Sequence, residues 1–119
     1  MKEIKAVVRP SRLHRIRDAF RRLPGFPGMT VVKVLGCSGH AGEERHATLK
    51  GELTEFADKV RIEIVAPEEM VQGILDIIHD QAHTGQPGDG IVWVTEVTAL
   101  RHVRDALPVG AANQGEDGL

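Results

Sequence analysis

Thr84-Gly85-Gln86-Pro87-Gly88-Asp89-Gly90-Ile91-Val92-Trp93-Val94 is the stretch on which the reading of this chain turns. A helical pattern runs into it (Met70, Val71, Ile74, Leu75, Ile78, Ala82) and a strand pattern leaves it, from Ile91 to Val97. Three glycines and a proline within seven residues cannot continue a helix, so the chain must turn here. Gly88 and Gly90 can adopt positive φ, and without a Cβ they let a ligand approach the backbone. Successive N–H groups in such a turn can converge into a concavity for an anion. Asp89, between two glycines, reads as a turn former that bonds its own backbone in preference to a catalytic acid.

Upstream, Lys59-Val60-Arg61-Ile62-Glu63-Ile64-Val65 alternates as a strand, and Pro67-Glu68-Glu69 reads as a helix start, with acids facing the dipole. Before it, 36–58 is glycine-rich, polar and charged; a loop that long in a compact domain is usually functional. Its tip is the expected place for partner recognition. Met29 to Leu35 is β-branched and apolar, a further strand. Leu13, Ile16, Ala19, Phe20 and Leu23 recur at helical spacing, with Ser11 offered as a cap and Pro24 as the stop. Arg12, Arg15, Arg17, Arg21 and Arg22 surround that helix; a solvated face is the simpler reading and an acidic partner the sharper one. Residues 2–9 alternate, with Ile4, Ala6 and Val8 on one side.

The resulting order, βαββαβ, predicts an α+β ferredoxin-like fold: a four-stranded antiparallel sheet with two helices on one face and a long loop between strands two and three. The domain is expected over 1–105, followed by a disordered tail at 106–119. Val7, Val31, Leu35, Val65 and Trp93 are expected to add apolar area to the uncovered face, which favours self-association.

Composition narrows the classes. A chain of 119 residues with a net charge of -2 and a pI near 6.3 is expected to be one domain without general nucleic-acid affinity. The single cysteine, Cys37, excludes an intrachain disulfide. No window is apolar enough for a membrane span and the N-terminus lacks a signal-peptide pattern, so a cytoplasmic protein with no membrane insertion is expected.

The glycine turn, with Arg9-Pro10, Gly28-Met29-Thr30-Val31 and Lys59 to Pro67, resembles the PII signal-transduction family over nearly the whole chain to about residue 105. The resemblance implies a homotrimer whose inter-subunit clefts bind an adenine nucleotide and whose long loop engages a target transporter or enzyme. It places Thr30 and Val65 at the adenine. Gly36, Cys37, Ser38, Gly88, Asp89 and Gly90 would lie at the phosphate turn, and Arg101, His102 and Arg104 would reach the phosphates from the neighbouring subunit.

Departures from the family pattern carry the functional reading. Gln86 and Ile91 stand where typical members have lysines, and each hydrogen bond to a charged group contributes about 1.5–3 kcal/mol. ATP should lose most, so ADP or AMP is the expected ligand, with ATP weaker. His40 replaces the glutamine of the family's magnesium–ATP–2-oxoglutarate site and Gly39 the arginine before it, although Lys59 is kept. The chain has no tyrosine and Glu52 occupies the modified position, so tyrosine uridylylation is excluded. The chain thus resembles a divergent PII-like branch, of the kind linked with inorganic-carbon uptake and carboxysomes or with metal-efflux systems. Bicarbonate is a candidate effector near His40 and Lys59.

Cys37, His40 and His46 share the loop and could bind a soft metal; the alternative function is therefore a metal-responsive protein associated with metal efflux. Their spacing matches no established metal motif, and no obligatory metal is expected. His79 and His83, four apart on a helix, could chelate, but a solvated helix end is the simpler reading. No Ser/His/Asp set and no P-loop appears, so no catalytic residues are assigned and the chain reads as a non-enzyme.

Overall fold

The structure is a computed structural model, and it describes residues 1–37, 39 and 56–106. Strand β1 (Lys2–Val8) passes through a 3-10 turn (Pro10–Arg12) into helix α1 (Leu13–Phe20), followed by β2 (Thr30–Gly36) and β3 (Ala57–Ala66). A second 3-10 turn (Glu68–Met70) opens helix α2 (Val71–Ala82), and β4 (Gly90–Glu96) ends the order. The strands form one antiparallel sheet, β2-β3-β1-β4. This is the βαββαβ, α+β arrangement that the periodicities predict.

Alternation decides which side of the sheet is covered. Ile4, Ala6 and Val8 of β1 and Val60, Ile62, Ile64 and Ala66 of β3 point to one face and are buried. Ile16 and Phe20 of α1 and Ile74, Ile78 and Ala82 of α2 close over them. Each large aliphatic side chain so buried contributes about 1.5–3 kcal/mol. Phe26 stacks on Phe20 with ring centroids 4.3 Å apart, folding the exit of α1 back onto the core.

Helix ends differ from expectation. α1 stops at Phe20, before Leu23, because the backbone tightens: Arg22 N–H donates to Ala19 O and Leu23 N–H to Phe20 O. Ser11 makes no capping bond; it lies in a separate turn in which Arg12 N–H donates to Arg9 O. Pro67 is extended and outside α2, which begins only at Val71 after Met70 N–H returns to Pro67 O.

Of the segment expected to be a loop, Gly36 belongs to β2 and Ala57 and Asp58 to β3. Ser38, His40, His46 and Glu52 lie outside the described residues, as do 107–119 of the expected tail.

The uncovered face needs a correction. Val31 pairs with Ile62 and Leu35 with Asp58, which puts both on the helix side of the sheet. They are exposed there because β2 is an outer strand. Val32 and Val34, opposite Arg61 and Lys59, take their place on the uncovered face beside Val7, Val65 and Trp93. At the other edge every residue of β4 is exposed, including Ile91, Val92, Trp93 and Val94. Trp93 is therefore not a core residue of a single chain.

Candidate functional site

Strand register assembles the site. Val8, the last residue of β1, pairs with Val60 on one side and Gly90 on the other. Arg9 therefore emerges beside the turn between α2 and β4, and Lys59 approaches it from β3. Gly85, Gly88 and Gly90 have φ of +85°, +94° and +113°. A Cβ on Gly90 would lie 1.9 Å from the carbonyl oxygen of Val7, so β1 and β4 can meet here only through glycine.

Asp89 organises the turn. Its carboxylate accepts the Thr84 N–H at 2.6 Å, the Gly85 N–H at 2.8 Å, the Thr84 hydroxyl, and Arg9 Nη1 at 3.2 Å. These donors, the Thr84 hydroxyl foremost, hold its carboxyl far below the usual carboxylate range. It is a saturated acceptor, as the turn-former reading expected. Arg9 also donates through Nη2 to Pro87 O at 2.6 Å, and Lys59 Nζ donates to Gly88 O at 2.7 Å. A Cβ on Gly88 would stand 3.0 Å from Arg9 Nη2 and 3.5 Å from Lys59 Nζ. Gly36 completes the floor, with the stem of Lys59 over it: a Cβ there would be 3.1 Å from Lys59 Cγ.

The structure thus brings Gly36, Lys59, Gly88, Asp89 and Gly90 together. Among the described residues two cations, Arg9 and Lys59, donate to the turn, and both are engaged by its own oxygens. Gly36→Ala is expected to cost under about 1 kcal/mol, because only a flexible side chain must yield. It should still displace Lys59 from Gly88 O. Thermal unfolding and the amide resonances of Gly88 to Gly90 check both halves of that expectation.

The other expected residues sit elsewhere in the chain. Thr30 begins β2 opposite Glu63, and Val65 faces Glu3. Both lie on the uncovered face, and Thr30 is about 20 Å along β2 from Gly36 at the strand rise. Arg101, His102 and Arg104 follow β4, whose end lies beside Lys2, with Val97 N–H donating to Met1 O. That is the opposite end of the strand from Gly90. Arg104 Nε is 3.7 Å from Asp105, and His102 Nε2 is buried with no hydrogen-bond partner among the described residues. Cys37 is exposed immediately after β2.

Arg9 and Thr84 were not among the expected site residues. The available signal was positional: Arg9 follows the strand that pairs with β4, and Thr84 stands five residues before the aspartate it serves.

On the helix side of the turn lies a groove of about 200 Å³ lined by Val8, Ile78, Ala82 and Val92, with His79, His83 and Asp89 also contributing. The two imidazoles stack with centroids 4.9 Å apart and planes 18° from parallel, and His83 Nδ1 is 3.8 Å from Asp89 Oδ2. Among the described residues, no group of three or more His, Cys, Asp or Glu could hold a metal ion. No helix among them is long and apolar enough to cross a membrane.

The turn, the strands that grip it and the fold around them agree with a comparison to known proteins. Residues 1–106 match the model of the family described as Nitrogen regulatory protein P-II. The chain belongs to the P-II family. It is 35% identical over 104 residues to Nitrogen regulatory protein P-II 1 of Escherichia coli (strain K12), covering 87% of this chain and 92% of that one. The P-II protein of Porphyra purpurea is 34% identical with the same coverage, and that of Haemophilus influenzae is 29% identical over the full length of both chains. P-II proteins are regulatory, signal-transducing proteins, and this α+β chain is a regulator of that family.

Proposed function

We propose that this P-II protein is a homotrimer that binds an adenine nucleotide in clefts between subunits, AMP or ADP ahead of ATP, and controls a transporter or enzyme through the segment between β2 and β3. The observation that carries the reading is the division of the expected site. Gly36, Lys59 and the turn at Gly88 to Gly90 meet at one end of the sheet, whereas Arg101, His102 and Arg104 follow the far end of β4. A second chain is the economical way to join the two halves. The buried His102 Nε2, without a hydrogen-bond partner among the described residues, and the exposed residues of β4 suit groups that find their partners on assembly.

The nucleotide preference follows from the cations. Gln86 and Ile91 bring no charge to the turn, while Arg9 and Lys59 are bonded to Pro87 O, Asp89 and Gly88 O. Little positive charge is left to balance a triphosphate. Bicarbonate, a small anion, is the second ligand of this reading, at Lys59 beside the end of β2. Ligation there would change the affinity of the neighbouring segment for a target.

Calorimetric titration with AMP, ADP, ATP and cyclic AMP, each with and without bicarbonate, tests the proposal. Saturable binding of AMP or ADP at one site per subunit, lost in Arg101→Ala and Arg104→Ala, is expected. Absence of any nucleotide binding overturns it.

A further inference from the structure

The two helices form a layer whose outward charge is divided between them. Residues 12–22, through α1 and its exit, carry five arginines, no lysine and one aspartate, Asp18. Residues 67–82, through α2, carry Glu68, Glu69, Asp76 and Asp80 and no lysine or arginine. Ile16 and Phe20 point into the core from α1 and Ile74 and Ile78 from α2. Arg15 therefore lies on the outer side of α1, with Arg22 two residues past its end, and Asp76 and Asp80 lie on that of α2, with Glu69 in the 3-10 turn before it. All five are exposed. Among the described residues none of them has an ion-pair partner, and no ion pair joins α1 to α2.

We infer that this layer is a docking surface for the helix layer of a second copy of the chain, basic α1 on acidic α2 and acidic α2 on basic α1. The helices are antiparallel, since each returns across one of two antiparallel neighbours, β1 and β3. A two-fold axis running between them, parallel to both, sets α1 over its partner's α2 twice in one isologous contact. Charge complementarity selects this occupant. An acidic partner laid across the layer meets the carboxylates of α2 next to the guanidiniums of α1, and a basic partner meets the reverse. A nucleic acid or an anionic membrane meets both, on a chain of net charge -2. Arginine throughout α1, with its planar fork, suits paired carboxylates. Among the described residues, the exposed large apolar ones are Val31, Leu35, Phe56, Ile91 to Val94 and Val103, none of them on either helix. The contact is therefore polar, reversible and governed by ionic strength.

Sedimentation of the purified protein at low and high sodium chloride tests this. At low salt, species of at least twice the mass of the salt-resistant assembly are expected, with association weakened at least about tenfold at about 0.5 M salt. Arg15→Glu with Arg22→Glu should abolish the doubling, and so should Asp76→Lys with Asp80→Lys. The four changes in one chain should restore it, which a folding defect would not do. Equal masses at both salts, or doubling that survives either pair of reversals, overturns the inference. So does Arg15- and Arg22-dependent binding of polyglutamate by a protein that never doubles. None of these outcomes depends on nucleotide binding.

Discussion

Gly90→Ala is expected to destabilise the protein by about 3 kcal/mol or more, and to lower its unfolding temperature by about 10 °C or more. Two penalties coincide at this residue. Its φ of +113° is one that L side chains rarely adopt, and a Cβ would sit 1.9 Å from the backbone oxygen of Val7. That oxygen belongs to the paired strand β1 and cannot turn aside as a side chain could, so either β4 separates from β1 or the turn rearranges. Gly25→Ala is the control for the first penalty alone, with φ of +76° and no atom within 4 Å of a Cβ. It should cost about 1–2 kcal/mol. A Gly90→Ala loss no larger than that of Gly25→Ala, measured by thermal unfolding, would show that β1 and β4 do not approach as closely as described.

Asp89→Asn should make the protein less sensitive to acid. The folded-state pKa of Asp89 is depressed, chiefly by the Thr84 hydroxyl and backbone donors, with Arg9 adding its charge. A carboxyl of this kind contributes stability that is complete above its unfolded value, about 3.9, and is lost as pH falls below it toward the folded value. The natural protein should therefore lose denaturant resistance between about pH 4 and pH 2 more steeply than the variant. The slope should not vanish, because Glu96, paired with Lys2, is also depressed and remains in the variant. Parallel urea midpoints for the two proteins over that range would remove Asp89 from the account. Asp89→Ala, which frees Thr84, Gly85 and Arg9 together, should weaken the proposed nucleotide binding at least about tenfold.

The fold was legible because most of its segments show one period clearly. In β1 and β3 a single alternation separates apolar from charged residues, and Ile74 with Ile78 leaves α2 no other inward face. β2 was not legible in the same way. Val31 and Leu35 share one side while Val32 and Val34 share the other, so composition alone cannot choose the parity that pairing with β3 imposes. Helix starts were blurred by 3-10 turns at Pro10 and Glu68, which look helical in sequence but precede the α-helical bonds. At the site, glycine spacing pointed to the turn, but not to Arg9, whose partners lie 78 and 80 residues away. Thr30, Val65 and Arg101 had no local signal at all; only likeness to a family suggested them, as expected for residues that one chain does not bring to the turn.

The grip of Arg9 on Pro87 and Asp89 also constrains the order in which the molecule becomes competent. The first strand must wait for the last before that tether can form, so the turn reaches its final shape only after the entire βαββαβ path has been threaded. Contacts of such long sequence separation are late events, because the loop they close must be paid for first. A ribosome-bound chain that has not yet released β4 has β1, β2 and β3 but no finished turn. Any ligand that recognises the completed turn therefore binds only finished chains, and by mass action it shields them from unfolding.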